Sequence, residues 1–197
     1  MRKVIVSMNV TLDGFMAGRN CELDWHFSYW NEEMAEQACE RLSRIDTILL
    51  GRVTYQAMAA YWPYQAFNSS FPRGQLAFAE MMNNYRKIVF SKTLKNTAWN
   101  NSRLVTANMR GEIARLKQQP GKDMIIYGSR SIVTALMRSG LVDEYELWVH
   151  PVLLGKGKPL FPSQQHMRQL RLMKTRSFAS GVIILYYCSK TDPILHA

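Results

Sequence analysis

Apolar residues along this chain switch between two spacings, and the switches mark its elements. Residues 3–10 form a β-branched, apolar run that ends in the polar loop Thr11-Leu12-Asp13-Gly14. Asn31 is a helix-cap candidate, and Glu32 and Glu33 follow where carboxylates favour the helix dipole. Met34, Ala35, Ala38, Leu42 and Ile45 then recur at helical spacing. Residues 46–50 read as a buried strand closed by Gly51, and residues 52–60 as a short helix broken at Trp62-Pro63. Beyond a polar, aromatic-dotted loop at 63–74, the pattern predicts a helix at 75–84 and strands at 87–90 and 103–105. A helix at 109–119 stops at Pro120-Gly121. The strand 124–127 and the helix 131–138 come next, with Gly140 as its C′ residue. Residues 142–150 form a long strand, and 170–178 and 182–189 a hairpin around Ala179-Ser180-Gly181.

Strands and helices therefore alternate to about residue 140, and the end is all strand. That order predicts a mostly parallel sheet with helices on both faces and an antiparallel edge. A chain of 197 residues that is 47% apolar fits one globular domain over 1–197. No apolar run reaches the ~18 residues of a membrane span. The start, Met1-Arg2-Lys3, leads into a first strand and not a signal peptide, since its apolar stretch ends by Asn9. Cys21, Cys39 and Cys188 are odd in number and widely spaced, which points to a reducing, cytoplasmic compartment. The sequons at Asn9, Asn68 and Asn100 then carry no meaning. The net charge of +10 is dispersed, with its densest group at Arg168, Arg171, Lys174 and Arg176 and Lys156 and Lys158 nearby. A solvated surface or a funnel for anionic small molecules fits that spread better than nucleic acid does. His26, His150, His166 and His196 lack ligand spacing, so no metal is expected.

In open α/β sheets ligands bind beyond the carboxyl ends of the strands. Four such ends carry chemistry here. They are Asn9–Phe15, Gly51-Arg52-Val53-Thr54-Tyr55, Ser91-Lys92-Thr93 and Tyr127-Gly128-Ser129-Arg130-Ser131. The last leaves a strand at a glycine and opens a helix, so backbone N–H groups point one way, as a phosphate requires. Each segment alone also reads as an ordinary turn with a surface cation.

Taken in order, these segments resemble the dihydrofolate reductase-like family that includes the reductase domain of bacterial riboflavin biosynthesis proteins. Gly140-Leu141-Val142-Asp143-Glu144-Tyr145 and Pro151-Val152-Leu153-Leu154-Gly155-Lys156-Gly157-Lys158-Pro159-Leu160-Phe161 extend the likeness along the chain. The resemblance implies a dihydrofolate reductase-like three-layer α/β/α fold. Its central sheet would be mostly parallel, of about eight strands, with an antiparallel C-terminal hairpin.

It also implies an NADPH-dependent reductase that passes a hydride to a small heterocycle of pterin or aminopyrimidine type. By resemblance, Gly51, Arg52 and Thr54 contact cofactor phosphates, and Ser91 and Lys92 hold the adenosine side with its 2′-phosphate. Tyr127, Gly128, Ser129, Arg130 and Ser131 form the pyrophosphate turn. Dihydrofolate reductases carry a cis Gly-Gly there. With Ser129 in the second place, cis and trans both stay open. Asp24 is the nearest analogue of the family's buried carboxylate, or else a loop or helix-cap residue. Asp13 is a substrate contact or a turn aspartate. Trp25, Tyr55 and Trp62 wall a planar substrate or belong to the core. The competing function is a nucleotide-binding protein of the same fold without efficient turnover. The long strand and the final hairpin suggest a homodimer, as is common in the family.

Overall fold

The computed structural model describes residues 1–65, 67–68, 70–161 and 167–189. His166 and His196 lie outside the described residues. Ten strands and six α-helices follow one another among the described residues. The first strand is β1 (Val4–Thr11), and β2 (Phe15–Ala17) leads to a 3-10 turn at Asp24–Tyr29. Then come α1 (Glu32–Ser43), β3 (Ile45–Gly51), α2 (Arg52–Ala59), α3 (Trp62–Gln65) and α4 (Leu76–Asn84). The middle of the chain adds β4 (Arg86–Phe90), β5 (Ser102–Val105), α5 (Met109–Gln118), β6 (Asp123–Ile126) and α6 (Arg130–Arg138). The end is β7 (Glu144–His150), β8 (Lys158–Pro159), β9 (Leu170–Ser177) and β10 (Ile183–Ser189). No helix among the described residues is long and apolar enough to cross a membrane.

Eight strands make one sheet in the order β5-β4-β3-β6-β1-β7-β10-β9. Pairing is parallel from β5 to β7, and β10 and β9 close the sheet antiparallel. Period-two alternation sorts the strands' side chains onto two faces. Val4, Val6 and Met8 of β1 join Leu49, Ile88 and Ile126 beneath Ile113 and Leu116 of α5 and Ile132, Val133 and Leu136 of α6. Ile5, Ile48, Val89 and Ile125 face the other way, against Leu42 of α1, Tyr55 of α2 and Met82 of α4. The result is a three-layer α/β/α sandwich.

The pattern missed one pairing. Phe15–Ala17 and Lys158–Pro159 form a separate two-stranded antiparallel ladder. Both pieces are too short for periodicity to register. The Trp62-Pro63 break is itself a helical turn, because proline is compatible with the first turn of a helix.

Candidate functional site

Strand order creates the site. β3 and β6 are far apart in sequence but adjacent in the sheet, so the turns that leave them meet. The Gly51 amide donates to the Gly128 carbonyl at 3.1 Å. A Cβ on Gly51 would collide with the Ser129 hydroxyl. One on Gly128, whose φ is +129°, would lie 2.7 Å from Thr54 Oγ1. Only glycine fits at both places. The Gly128-Ser129 peptide is cis, which settles the alternative left open by the sequence.

Two helices start at this junction, and both starts are open. Gly51 caps α2 and Ser129 caps α6, neither through a side-chain hydrogen bond, and neither helix has an acidic residue in its first turn. The Ser129 hydroxyl meets that of Ser131 at 2.7 Å. The start of α4 is likewise uncapped and free of acid, but α1 and α5 close their own ends. Asn31 accepts from the Met34 amide ahead of Glu32 and Glu33, and Asn108 accepts from the Gly111 amide near Glu112. Unpaired N–H groups and an unopposed positive dipole end make the α2–α6 junction suited to an anion.

The strand beside β3 extends the rim. Gly51 pairs in register with Phe90, so Ser91 and Lys92 leave β4 next to the junction. Ser91 Oγ accepts from the Thr93 and Leu94 amides at 3.1 and 2.9 Å, which folds this turn, while Lys92 is exposed. Arg52 is exposed beside Gln56, and Arg130 stands half-exposed at the first position of α6.

Tyr127 connects the rim to a second feature. Its ring lines a cavity of about 80 Å³ on the α1 face, shared with Ser7, Asn9, Trp30, Ala38, Arg41, Phe78, Glu146 and Trp148. A single water needs about 10–15 Å³ of such space, so this is room for several waters or one edge of a flat ring. Its floor is a polar row crossing a face that is otherwise core. Glu146 pairs with Ser7 on one side and Tyr186 on the other, and Tyr186 pairs with Lys174. Tyr127, one residue past the Val6–Ile126 pair, continues the row.

Glu146 is 1% exposed. Arg41 of α1 brings Nε to 2.5 Å from Oε2, and the Trp148 side chain is the other donor near the carboxyl. Burial pushes the Glu146 carboxyl above the usual carboxylate range, only partly countered by the charge of Arg41. Burial and the neighbouring Glu146 likewise push the Tyr127 hydroxyl upward.

His150 closes this face at the end of β7. It is fully buried, its Nε2 faces Asn9 Oδ1 at 3.2 Å, and its Nδ1 has no protein partner. The neutral ring therefore carries its proton on Nε2, since Asn9 Oδ1 only accepts. Trp25, His26 and Tyr29 of the 3-10 turn pack edge-on against it, with ring centroids 5.2, 5.9 and 5.8 Å away. Burial, then the neighbouring His26, push His150 down to about 4.

Several expected contacts fall elsewhere. Asp24 is exposed at the start of the 3-10 turn, whereas the role the resemblance gives it calls for a buried carboxylate. Tyr55 is a core residue and not a substrate wall, since its hydroxyl accepts the Trp99 amide at 2.9 Å and its ring is 4% exposed. Asp13 is a turn aspartate. It accepts from the Thr11 hydroxyl and from the Leu154 and Gly155 amides, and the Thr11 bond foremost holds its carboxyl below the usual range. Trp62 packs at a tilt against Phe78, ring centroids 5.2 Å apart, and reaches the cavity only through it. Trp25 rests on His150. Sequence reasoning passed over Glu146, Arg41 and His150. In Glu144-Tyr145-Glu146-Leu147-Trp148-Val149-His150 the polar positions alternate, as they would on a solvent-facing strand. Only the placement of β7 between β1 and β10 buries them.

Comparison with known proteins agrees with this architecture. The family model of the RibD C-terminal domain matches residues 2–184. The chain belongs to that family. Among relatives of the RibD C-terminal domain family, the uncharacterized protein YyaP of Bacillus subtilis (strain 168) is 37% identical over 186 residues, covering 94% of each chain. A pyrimidine reductase-like protein of Corynebacterium diphtheriae superposes with a TM-score of 0.67 at 14% identity, over 97% of this chain and 93% of its own. The dihydrofolate reductase of Enterococcus faecalis, solved with NADP(H), gives 0.61 at 12% identity over 95% and 96%. At those identities the two structures establish a dihydrofolate reductase-like fold for this RibD C-terminal domain chain.

Proposed function

We propose that this protein is an NADPH-dependent reductase of a small heterocycle of pterin or aminopyrimidine type. The observation that carries the reading is the meeting of two open, acid-free helix starts over the Gly51–Gly128 contact. A pyrophosphate would receive the free amides of α2 and α6, with Arg52 and Arg130 beside them. Ser91 and Lys92, along the same rim, would take the adenosine side, with Lys92 meeting the 2′-phosphate. The donor set suits such a group, since unpaired amides and cations gather where two glycines leave the backbone bare. When bound, the reduced nicotinamide supplies a hydride. The protein's part is to align the acceptor ring beyond Tyr127 and to exclude water with Trp30, Phe78 and Trp148. That the related C. diphtheriae protein is described as pyrimidine reductase-like, and the E. faecalis protein as a reductase complexed with NADP(H), supports this reading.

Calorimetric titration with NADPH and NADH tests the cofactor, and a loss of nicotinamide absorbance with candidate acceptors tests the reaction. The expected results are tighter binding of NADPH than NADH and acceptor-dependent oxidation. Equal affinity for the two would remove the assignment of Lys92 and its neighbours. Tight NADPH binding with no acceptor turned over would favour a nucleotide-binding protein without turnover.

A further inference from the structure

Asn9 is the outermost of the polar side chains that β1 gives the cavity. Period-two alternation puts it on the α1 face with Ile5 and Ser7, and it pairs in register with Trp148. Ser7 and Glu146 lie opposite each other one step further in. Asn9 is therefore nearer the carboxyl ends of the strands, where ligands enter an open α/β sheet. Its carboxamide is only half used. Oδ1 meets His150 Nε2 at 3.2 Å, and among the described residues Nδ2 has no hydrogen-bond partner. Packing gives no reason for an amide here, since Ile5 before it on the same face and Trp148 beside it belong to apolar clusters.

An amide and a neutral imidazole in contact have two self-consistent arrangements. In the first, Nε2–H donates to Oδ1, Nδ1 is a bare lone pair, and both Nδ2 hydrogens stay free. In the second the amide is turned over. Nδ2 then donates to a bare Nε2, Nδ1 carries the proton, and the amide oxygen is the free atom. The surroundings of Nδ1 decide between them. His150 is wholly buried, and its Nδ1 has no partner among the described residues. Trp25, His26 and Tyr29 pack on the ring, and Trp25 Nε1, which can only donate, is itself buried without a partner. A proton on Nδ1 would strand a second N–H in that packing. Orphaned N–H groups are rarer in protein interiors than under-used acceptors, so the first arrangement holds.

Resting on the reductase reading, we propose that Asn9 is the specificity-determining residue of the cavity and that His150 is the positioning residue that keeps its amide one way round. Nδ2 offers the ligand a donor and so selects a ring edge bearing an acceptor, an oxo group in place of an amino group. No bond to the ligand is made or broken in this recognition. An amino analogue would set donor against donor and leave both unpaired, which is how a hydrogen-bonding site rejects a ligand of nearly the same shape. Trp30 and Trp148, stacked with ring centroids 5.9 Å apart, wall the same cavity, so water does not readily replace the lost partner.

The test needs no turnover. Nitrogen-15 NMR of the histidine rings reads the tautomer directly in the wild-type protein, with the His150 signals identified by their loss in His150→Phe. The Nε2–H tautomer is expected, and Nδ1–H would overturn the proposal. The probes are 4-pyrimidinone and 4-aminopyrimidine, alike in shape and opposite at one edge, titrated by chemical shift so that weak binding is measurable. The wild type should favour the pyrimidinone by at least about tenfold. Asn9→Leu should bring the ratio of the two affinities close to one. His150→Phe keeps a ring but frees the amide to turn, so the ratio should fall there too, whereas His150→Gln can still donate and should keep part of it. A merely structural histidine would weaken both probes alike and leave their ratio in place. Equal affinities in the wild type, a preference for the amino probe, binding of neither, or a ratio unmoved by Asn9→Leu would each overturn the proposal. The tautomer and the wild-type ratio use the unmodified protein, so the proposal stays decidable even if the variants fail to fold. NADPH binding and oxidation are read separately. Their absence beside an intact oxo preference would remove the reductase reading and leave Asn9 its role. Their presence beside a ratio indifferent to Asn9 would do the reverse.

Discussion

The rim proposed for the nucleotide and the cavity on the α1 face meet at Tyr127, yet they are built from opposite materials. The rim is backbone. Gly51, Gly128 and the first amides of α2 and α6 make its surface, and the side chains around it, Arg52 and Lys92, point into solvent. The cavity is side chain throughout, with Glu146 on its floor, Arg41 reaching in from α1, and Trp30, Phe78 and Trp148 as walls. A backbone site is intolerant of any added atom and indifferent to much else. A side-chain site tolerates changes of shape and fails when one charge is removed.

The largest effect should follow from adding one methyl group to the rim. Gly128→Ala places a Cβ at φ +129° and 2.7 Å from Thr54 Oγ1. A loss of NADPH affinity on the order of a hundredfold is expected, from ~1–3 kcal/mol of backbone strain plus a displaced helix start. Gly51→Ala should act similarly through Ser129, and the double variant Gly51→Ala/Ser129→Gly should recover part of the loss. Titration calorimetry reads all three. If Gly128→Ala binds NADPH as well as the wild type, the backbone does not form the binding surface.

The cavity should fail through charge. Glu146→Leu leaves the Arg41 guanidinium, largely withdrawn from solvent, without its carboxylate partner, and a loss of about 3 kcal/mol in denaturant unfolding is expected. Arg41→Met/Glu146→Leu should recover most of it, because an apolar pair of similar volume suits this face. The raised Glu146 carboxyl adds a signature in pH. As pH rises past the ordinary carboxylate range, the unfolded chain ionises first and the folded protein still holds its proton. Stability therefore falls with rising pH until the folded carboxyl also ionises, and the double variant should lose that slope.

These two regions also differ in how far the chain reveals them. A glycine between an apolar run and a helix start can be read directly, so Gly51 and Gly128 were legible, as was the Asn31 cap. Most elements match their predicted bounds within two residues, because alternating strands and helices leave strong apolar patterns. Glu146 was hidden because a strand's polar positions say only that they share a face. Whether that face meets water depends on which strands flank β7, a long-range fact fixed by β1 and β10. Asp24 drew attention in its place because it stands beside a tryptophan near the family's expected position, yet the 3-10 turn holds it in solvent. Arg41 was hidden for the converse reason, lying on a helix whose other charges are solvated.

A third effect tests the ring that Asn9 links to the cavity. His150 is pushed down to about 4 from an ordinary value of 6.5. As pH falls below 6.5 the unfolded chain takes up a proton that the folded ring refuses, so stability drops between 6.5 and about 4 and levels below that. His150→Gln should flatten part of this slope, leaving the share owed to His26, which burial also pushes down. Trp25 and Tyr29 lean on the same ring, so tryptophan fluorescence should follow the transition. A stability curve whose slope in this window is the same with and without His150 would mean that the ring is solvated.

The smallest effect separates folding from binding at a single helix start. Val53 lies in the first turn of α2 and is 50% exposed, with no acid nearby in that turn. In an ordinary helix a glutamate there helps, by about 0.3–1 kcal/mol, through the dipole. Val53→Glu should therefore raise the unfolding free energy slightly. If the open start exists to hold phosphate, the same carboxylate should weaken NADPH severalfold by repulsion, most strongly at low salt. At α1, where Asn31, Glu32 and Glu33 already fill the start, Glu33→Gln should cost a few tenths of a kcal/mol and leave NADPH affinity alone. Opposite signs for stability and affinity at α2, against no change in affinity at α1, would tie the missing acid to the ligand. Stability and affinity rising together in Val53→Glu would instead make the bare start of α2 an accident of sequence.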